Sequence, residues 1–298
     1  MQTTLRRQIA LAGTGLHSGR PARLAILPAG ADHGIRFRRT DLSGRDGLIP
    51  AMWDAVSDTT LNTRIANPAG VSVSTIEHLM AALSGCGVHN AVIEIDGPEV
   101  PIMDGSARKF VAEIRRAGLQ LLDAPLRALR VRRTVSVGMG TAWAALEPCD
   151  RLEIGFEIDF PDAAIGHQRR HFVAEGDAFA EELADSRTFC RRADIEAMQA
   201  RGLALGGTLE NAVVVDGETV LNPEGFRHAD ECVRHKMLDA MGDLALAGAP
   251  LIGRYTGVRA GHSLNNRLLR ELFVVEGAVE LVTTTAAAGA AEALPLAV

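Results

Sequence analysis

His235 and Asp239 stand four residues apart in the stretch Val233-Arg234-His235-Lys236-Met237-Leu238-Asp239. On a helix that spacing puts both side chains on one face, where an imidazole nitrogen and a carboxylate oxygen can grip a single ion. Asp243 continues the stripe one turn later, while Val233, Met237, Ala240, Met241 and Leu244 mark the core-facing side. Taken alone, such a pair also reads as a solvated ion pair on a helix surface. Glu77-His78, distant in sequence and followed by the small Ala81 and Ala82, shifts the balance. Two histidines and one carboxylate, His78, His235 and Asp239, make a catalytic zinc set that leaves a fourth position for water. Zinc lowers the pKa of such a water to roughly 7, and the adjacent carboxylate of Glu77 can take its proton.

Glu77 carries a second reading. Ser74-Thr75-Ile76-Glu77 fits a capping box, in which the glutamate bonds back to the Ser74 amide, and one carboxylate cannot easily do both jobs. His262 falls in Gly261-His262-Ser263, which reads as a loop after a strand. There an imidazolium can protonate a leaving amine or stabilise an oxyanion, with Asp243 as the partner that keeps it charged. A lone loop histidine equally reads as a polar surface residue.

The elements that must position these side chains occur twice in the same order. Residues 23–27 and 35–39 read as strands; 74–83 has helical spacing and is stopped by Gly85 and Gly87; 91–95 alternates as a strand; and 107–117 is again helical. From Ala124-Pro125 onward, strands at 129–137, 143–146 and 152–158 precede a helix at 233–246, a strand at 251–258, a loop at 259–263 and a helix at 264–273. His78 and Ser106 are 28 residues apart, as are His235 and Ser263. The correspondence predicts a duplicated fold with halves at 1–123 and 124–298. Face-to-face packing about a pseudo-two-fold axis would bring the two histidine helices together. Between 189 and 216 the second half has extra material, with helical spacing at 194–200 and an apolar strand at 212–215. From Thr283 the tail is alanine-rich and expected to fray.

Bulk properties narrow the function classes. A chain of 298 residues with 47% apolar content can build two cores. A net charge of -6 and 4% aromatic residues give no platform for nucleic acid, and arginine pairs such as Arg169-Arg170 and Arg191-Arg192 suit one phosphate or a solvated face. No window has the length and apolarity of a signal peptide or membrane span, so we expect a cytoplasmic protein without stable membrane insertion. Four cysteines without a C-x-x-C pair suggest neither disulfides nor a thiolate site. Gly13, Gly15 and Gly19 lack dinucleotide-binding spacing, and there is no G-x-S-x-G elbow.

Several long motifs in order resemble the UDP-3-O-acyl-N-acetylglucosamine deacetylase family, zinc enzymes of the committed step in lipid A synthesis. They are Gly15-Leu16-His17-Ser18-Gly19, Ser74-Thr75-Ile76-Glu77-His78-Leu79, Pro101-Ile102-Met103-Asp104-Gly105-Ser106, Arg187-Thr188-Phe189, the His235 stretch, Gly242-Asp243 and Gly261-His262-Ser263-Leu264-Asn265-Asn266. The resemblance implies an α+β fold of two related domains, helices sandwiched between two outer β-sheets, each domain with an insert: a small β insert in the first and one near 189–216 in the second. It implies zinc held by His78, His235 and Asp239, Glu77 as general base, and His262 as general acid and electrostatic stabiliser held by Asp243; the leaving amine takes its proton from His262 or back from Glu77, and the sequence does not decide between them. Thr188 is implied as the hydroxyl that bonds the tetrahedral intermediate, and Lys236 as a contributor to diphosphate binding and to the charge network around His262 and Asp243. Leu16 and Phe189 are implied at the substrate. Ile195, Leu203, Leu209, Ala212 and Val214 are candidates to line a passage for the acyl chain; without the resemblance they read as core. The substrate would be a small UDP-acyl-glucosamine, and we expect a monomer. Iron(II) can also occupy a His and carboxylate site.

A zinc amidohydrolase acting on another N-acyl substrate is the competing reading, and a substrate panel discriminates it. A non-catalytic scaffold binding a nucleotide sugar would be favoured by an incomplete ligand set, yet all three ligands are present. At Leu61-Asn62-Thr63 some relatives carry a cysteine that helps bind an inhibitory second metal, and asparagine is a weaker zinc ligand. Inhibition by excess zinc is therefore expected to be shallower here than in an Asn62→Cys variant. Equally steep zinc titrations of activity would count against this.

Overall fold

The computed structural model describes residues 1–43 and 46–284, so the alanine-rich tail from 285 lies outside the described residues. The first half opens with strands β1 (Thr3–Leu5), β2 (Ile9–Thr14), β3 (Pro21–Pro28), β4 (Ile35–Arg39) and β5 (Leu48–Pro50). Alternation becomes burial: in β3, Ala22, Leu24 and Ile26 face inward while Pro21 and Arg23 face out. A small separate sheet of β6 (Val56–Asp58), β7 (Arg64–Ala66) and β8 (Ser72–Val73) follows. Then come α1 (Glu77–Gly85), β9 (Ala91–Ile95), α2 (Arg108–Ala117) and β10 (Leu119–Leu121). The main sheet runs β2-β3-β9-β4-β5, with β4 parallel to β9 and the other neighbours antiparallel. Beside it β1 pairs antiparallel with β10, and a parallel bridge joins Thr4 to Asn90 just ahead of β9.

The second half repeats these pairings. Its elements are β11 (Arg127–Val131), β12 (Val135–Met139), β13 (Ala142–Glu147), β14 (Leu152–Asp159), β15 (His167–Val173), β16 (Phe189–Arg191), α3 (Arg192–Ala200), β17 (Val213–Asp216), β18 (Thr219–Val220), α4 (Glu231–Leu244), β19 (Leu251–Val258), α5 (His262–Val274) and β20 (Val279–Thr283). Here β12-β13-β19-β14-β15 lie in the order and senses of β2-β3-β9-β4-β5, with β14 parallel to β19. Likewise β11 pairs antiparallel with β20 and parallel with the start of β19. The inserts are the β6-β7-β8 sheet in one half and β16-β17-β18 with α3 in the other. On the first sheet α2 packs against β2, on the second α4 against β14 and α5 against β12 and β13, and α1 meets α4 between the sheets. The fold is thus the α+β sandwich with inner helices that the repeated order implies.

Three boundaries differ from the sequence reading, each for a local reason. The strand expected at 129–137 is two strands: the amides of Arg132 and Arg133 both turn to the carbonyl of Ala278, and the chain crosses from between β19 and β20 to the sheet edge beside β13. The helix expected from Ser74 begins at Glu77, because Thr75 takes φ 57° and Ser74 is drawn into a bridge with Glu99. The helix expected from Leu264 begins at His262, with Gly261 extended before it and accepting the Asn265 amide, so His262 is helical rather than a loop residue. The alternative of a solvated pair on α4 is excluded: His235, Asp239 and Asp243 are as buried as Met237 and Leu238, because that face meets α1. The shared 28-residue spacing also has unequal parts, since β9 has 5 residues and β19 has 8 while the loop after β19 is shorter than the one after β9.

The α1–α4 crossing is close because of Gly242. A helix-interior glycine costs roughly 0.5–1 kcal/mol relative to alanine, yet a Cβ here would stand 2.0 Å from the carbonyl oxygen of Glu77. Gly242→Ala is therefore expected to destabilise, by about 1–3 kcal/mol as for overpacked cores, and to weaken metal binding by moving His78 away from α4. Thermal unfolding and a metal titration check both, and an unchanged melting temperature would show the crossing to be more compliant than argued.

Candidate active site

At the crossing, His78 near the start of α1 faces His235 and Asp239 on α4. Their imidazole rings meet edge to face with centroids 4.9 Å apart, and the Nε2 atoms lie 3.5 Å (His78) and 3.3 Å (His235) from the same Asp239 Oδ1. One donor atom from each residue falls within 4.8 Å of the others, and all three side chains are buried. The Ser186 carbonyl oxygen is 3.1 Å from His235 Nδ1 and can only accept, so that nitrogen carries the proton and leaves the Nε2 lone pair facing the cluster. Burial pushes the His235 imidazole down to about 4, which keeps it neutral and able to ligate. Burial also works against charge on Asp239, but His235 and Lys236 outweigh it and hold the carboxyl well below the usual carboxylate range. Two imidazole nitrogens and a carboxylate, converging in a buried cluster, fit a divalent cation. His78 Nδ1 has no hydrogen-bond partner among the described residues.

Beside the donors lie two more buried carboxylates. Glu77 does not cap its helix: the Ser74 amide donates to Pro98, and Glu77 Oε2 instead accepts the Thr63 amide at 3.0 Å. The capping reading is thereby overturned. Burial raises the Glu77 carboxyl, opposed by the nearby His262 and His78. His262 Nδ1 lies 2.8 Å from Asp243 Oδ2, and its Nε2 is 4.0 Å from Glu77 Oε1. Burial disfavours the imidazolium, but Asp243, by charge and hydrogen bond, and then Glu77 and Asp239 overcome it and raise the group to about 9. Neutral His235 and charged His262 thus coexist around Asp239 because only His262 is bonded to a carboxylate by its outer nitrogen.

The other sequence candidates fall around this centre. Lys236 Nζ donates to Asp239 Oδ2 at 2.7 Å; burial works against its charge, but Asp239, and then Asp243 and Glu77, raise the ammonium above its ordinary value, so it belongs to the charge network of these carboxylates. Thr188 is half-buried on a strand edge, its amide donating to Gly105 and its carbonyl accepting from Val213. Gly105 has φ 82° and would place a Cβ 2.2 Å from the Asn211 carbonyl, so the 101–106 loop of the first half can lie directly against this segment. Phe189 reaches the donor cluster, its ring centroid 6.2 Å from that of His235. Leu16 docks on the second insert, its carbonyl accepting the Gly206 amide. Within that insert Ile195 and Leu203 are half-buried, Leu209 is 40% exposed, and Ala212 and Val214 are buried. Asn222 pins the backbone of the last three, bonding the carbonyls of Leu209 and Ala212 and the amide of Val214.

Sequence reasoning missed Thr63, Asn265 and Tyr255. Thr63 Oγ1 donates to Asp243 Oδ1 at 2.5 Å, Asn265 Nδ2 donates to Asp243 Oδ2 at 2.7 Å, and Tyr255 donates to Asn265 Oδ1 at 2.6 Å. Two signals were available: Tyr255 is the single tyrosine of the chain, and Asn265 lies one helical turn after His262. His17 and Glu99 also border the site. Glu99 accepts the His17 and Ser18 amides and the Thr75 hydroxyl, and His17 Nδ1 accepts the Ala204 amide.

Among the described residues no helix is long and apolar enough to cross a membrane. A family model described as LpxC, UDP-3-O-acyl N-acetylglycosamine deacetylase, matches residues 2–274. Proteins named UDP-3-O-acyl-N-acetylglucosamine deacetylase are similar along most of their length. One from Phenylobacterium zucineum (strain HLK1) is 52% identical over 271 residues, 91% of this chain and 92% of its own. One from Shewanella sp. (strain W3-18-1) is 46% identical over 284 residues, 95% of this chain and 92% of its own. One from Shewanella baltica (strain OS155 / ATCC BAA-1091) is 45% identical over the same coverage. With a family model spanning nearly all of the sequence and relatives this similar, the chain belongs to the UDP-3-O-acyl-N-acetylglucosamine deacetylase family.

Proposed function

We propose that the protein removes the N-acetyl group of UDP-3-O-acyl-N-acetylglucosamine, giving acetate and UDP-3-O-acyl-glucosamine, as the committed step of lipid A biosynthesis. We assign it to the cytoplasm as a monomer of two repeats, 1–123 and 124–298. The observation that carries the reaction is the set of converging donors at His78, His235 and Asp239 with the buried Glu77 and His262 beside them. The resident ion we assign is zinc; iron(II) suits the same donors, and reconstituting apo-protein with each ion separately distinguishes them. When bound, such an ion polarises the acetamide carbonyl and acidifies a water at neutral pH.

The chain's own residues supply the remaining steps. Glu77 accepts the proton of the attacking water, aided by burial that raises its affinity for one. Thr188 donates a hydrogen bond to the oxygen of the tetrahedral intermediate. His262, protonated and braced by Asp243, donates to the amide nitrogen so that the C–N bond breaks to a free amine and acetate. Lys236 contributes to holding the diphosphate. Leu16 and Phe189 contact the substrate, and Ile195, Leu203, Leu209, Ala212 and Val214 line the acyl passage.

Acetate release from UDP-3-O-acyl-N-acetylglucosamine by metal-loaded protein tests the reading. It is expected to fall by roughly a hundredfold or more in apo-protein and in His78→Ala and Asp239→Ala variants, since ion-based charge stabilisation supplies several kcal/mol. No release by folded, metal-loaded wild type would exclude this substrate. The pH dependence has a definite sign. A group raised to about 9 acts as an acid below that value, so kcat/KM should decline as pH rises through about 9. Removing the charge in Asp243→Asn should move this basic limb to lower pH, and an unmoved limb would assign it to another group.

A further inference from the structure

We infer that Thr63 is a positioning residue for the reaction, its amide and hydroxyl fixing which oxygen of Glu77 and of Asp243 faces His262. This rests on the deacetylase reading above. Thr63 stands in the loop of the first insert between β6 and β7, immediately before β7, and is 2% exposed. Each of its polar groups is committed. The amide donates to Glu77 Oε2 at 3.0 Å, the hydroxyl to Asp243 Oδ1 at 2.5 Å, and the carbonyl accepts the Ile76 amide at 3.4 Å at the start of α1. Glu77 belongs to α1 and Asp243 to α4, so one residue ties the proposed base to the partner of the proposed acid across the helix crossing.

The oxygen assignments carry the inference. Thr63 takes Oε2 of Glu77 and Oδ1 of Asp243, leaving Oε1 of the first 4.0 Å from His262 Nε2 and Oδ2 of the second 2.8 Å from His262 Nδ1. The imidazole is therefore bracketed by the two oxygens that Thr63 does not hold. Asn265 also donates to Asp243 Oδ2 at 2.7 Å, so without Thr63 the Asp243 carboxylate is held at one oxygen only while that of Glu77 can rotate about its last bond, and the bracket loses its geometry. The loop is itself braced: Leu61 takes φ 62°, and Asn62 donates to Thr60 and accepts the Thr75 amide. The first insert thus supplies part of the orienting machinery of the site.

The hydroxyl also sets a sign. The charged or titratable groups facing His262 are Asp243 and Asp239 from α4, Glu77 from α1, and His17 from the loop after β2. Deleting a donor to Asp243 leaves its negative charge less compensated, so it grips the His262 proton more strongly and makes His262 a weaker acid.

The test compares metal-loaded, full-length wild type with Thr63→Val, which keeps the amide and the branched shape, and Thr63→Ser, which keeps the hydroxyl. Thr63→Val is expected to lose about tenfold in kcat, the scale of one hydrogen bond to a charged group. Its KM should stay within about twofold, metal content should be unchanged, and the basic limb of kcat should move to higher pH; serine restores kcat and limb. Should the valine variant not fold, Thr63→Ala and Thr63→Ser, which differ by the hydroxyl alone, carry the same comparison. An active wild type with unaltered kcat and limb in Thr63→Val, or a loss that serine does not restore, overturns the inference alone. A wild type inactive on this substrate overturns the deacetylase reading and the inference with it.

Discussion

Glu77, Asp239 and Asp243 are buried together where α1 crosses α4, and the rest of the structure answers that constraint. Two like charges 4 Å apart repel by about 4 kcal/mol even at an effective dielectric of 20. Such a cluster persists only if cations and donors compensate it, and removing one partner leaves an uncompensated charge. Each carboxylate has its own compensation. Asp239 has Lys236, Asp243 has His262, Asn265 and Thr63, and Glu77 has the Thr63 amide and the facing His262. The cation proposed for His78, His235 and Asp239 would complete the balance. Gly242 permits the approach, since any side chain there would push α1 away.

The same burial divides labour between chemically identical groups. His235 is pushed down to about 4 and presents a lone pair, whereas His262, bonded to Asp243, is raised to about 9 and presents a proton. One ring suits ligation and the other suits acid catalysis because their outer nitrogens meet a backbone carbonyl in one case and a carboxylate in the other. Glu77, raised by burial, suits the acceptance of a proton. Pairs of groups whose environments drive their pKa values apart are the means by which a site runs acid and base steps at one pH.

Much of this was legible in the residues. The i, i+4 spacing of His235 and Asp239 and the repeated element order placed the donors on two helices of a duplicated fold, and the sheets repeat their pairings strand for strand. What failed were short-range readings that ignored long-range partners. The capping box at Ser74 satisfies every local rule, yet the Ser74 amide finds Pro98 and the Glu77 carboxylate finds Thr63, both remote in sequence. His262 read as a loop residue because nothing local marks the helix that begins at it. Thr63 could not be seen at all, since its importance lies in two acceptors 14 and 180 residues away. The Ser186 contact to His235 is made by a backbone carbonyl, which no residue type announces.

The most direct test of the account is a crystal structure of metal-loaded, active protein with anomalous diffraction collected on both sides of the zinc edge. The account predicts a single strong peak within about 2.0–2.2 Å of His78 Nε2, His235 Nε2 and an Asp239 oxygen, the usual zinc to nitrogen and oxygen distances. It also predicts that Glu77 and His262 face the ion without ligating it. A peak held by other residues, or fully active protein with no metal between these three, would contradict it.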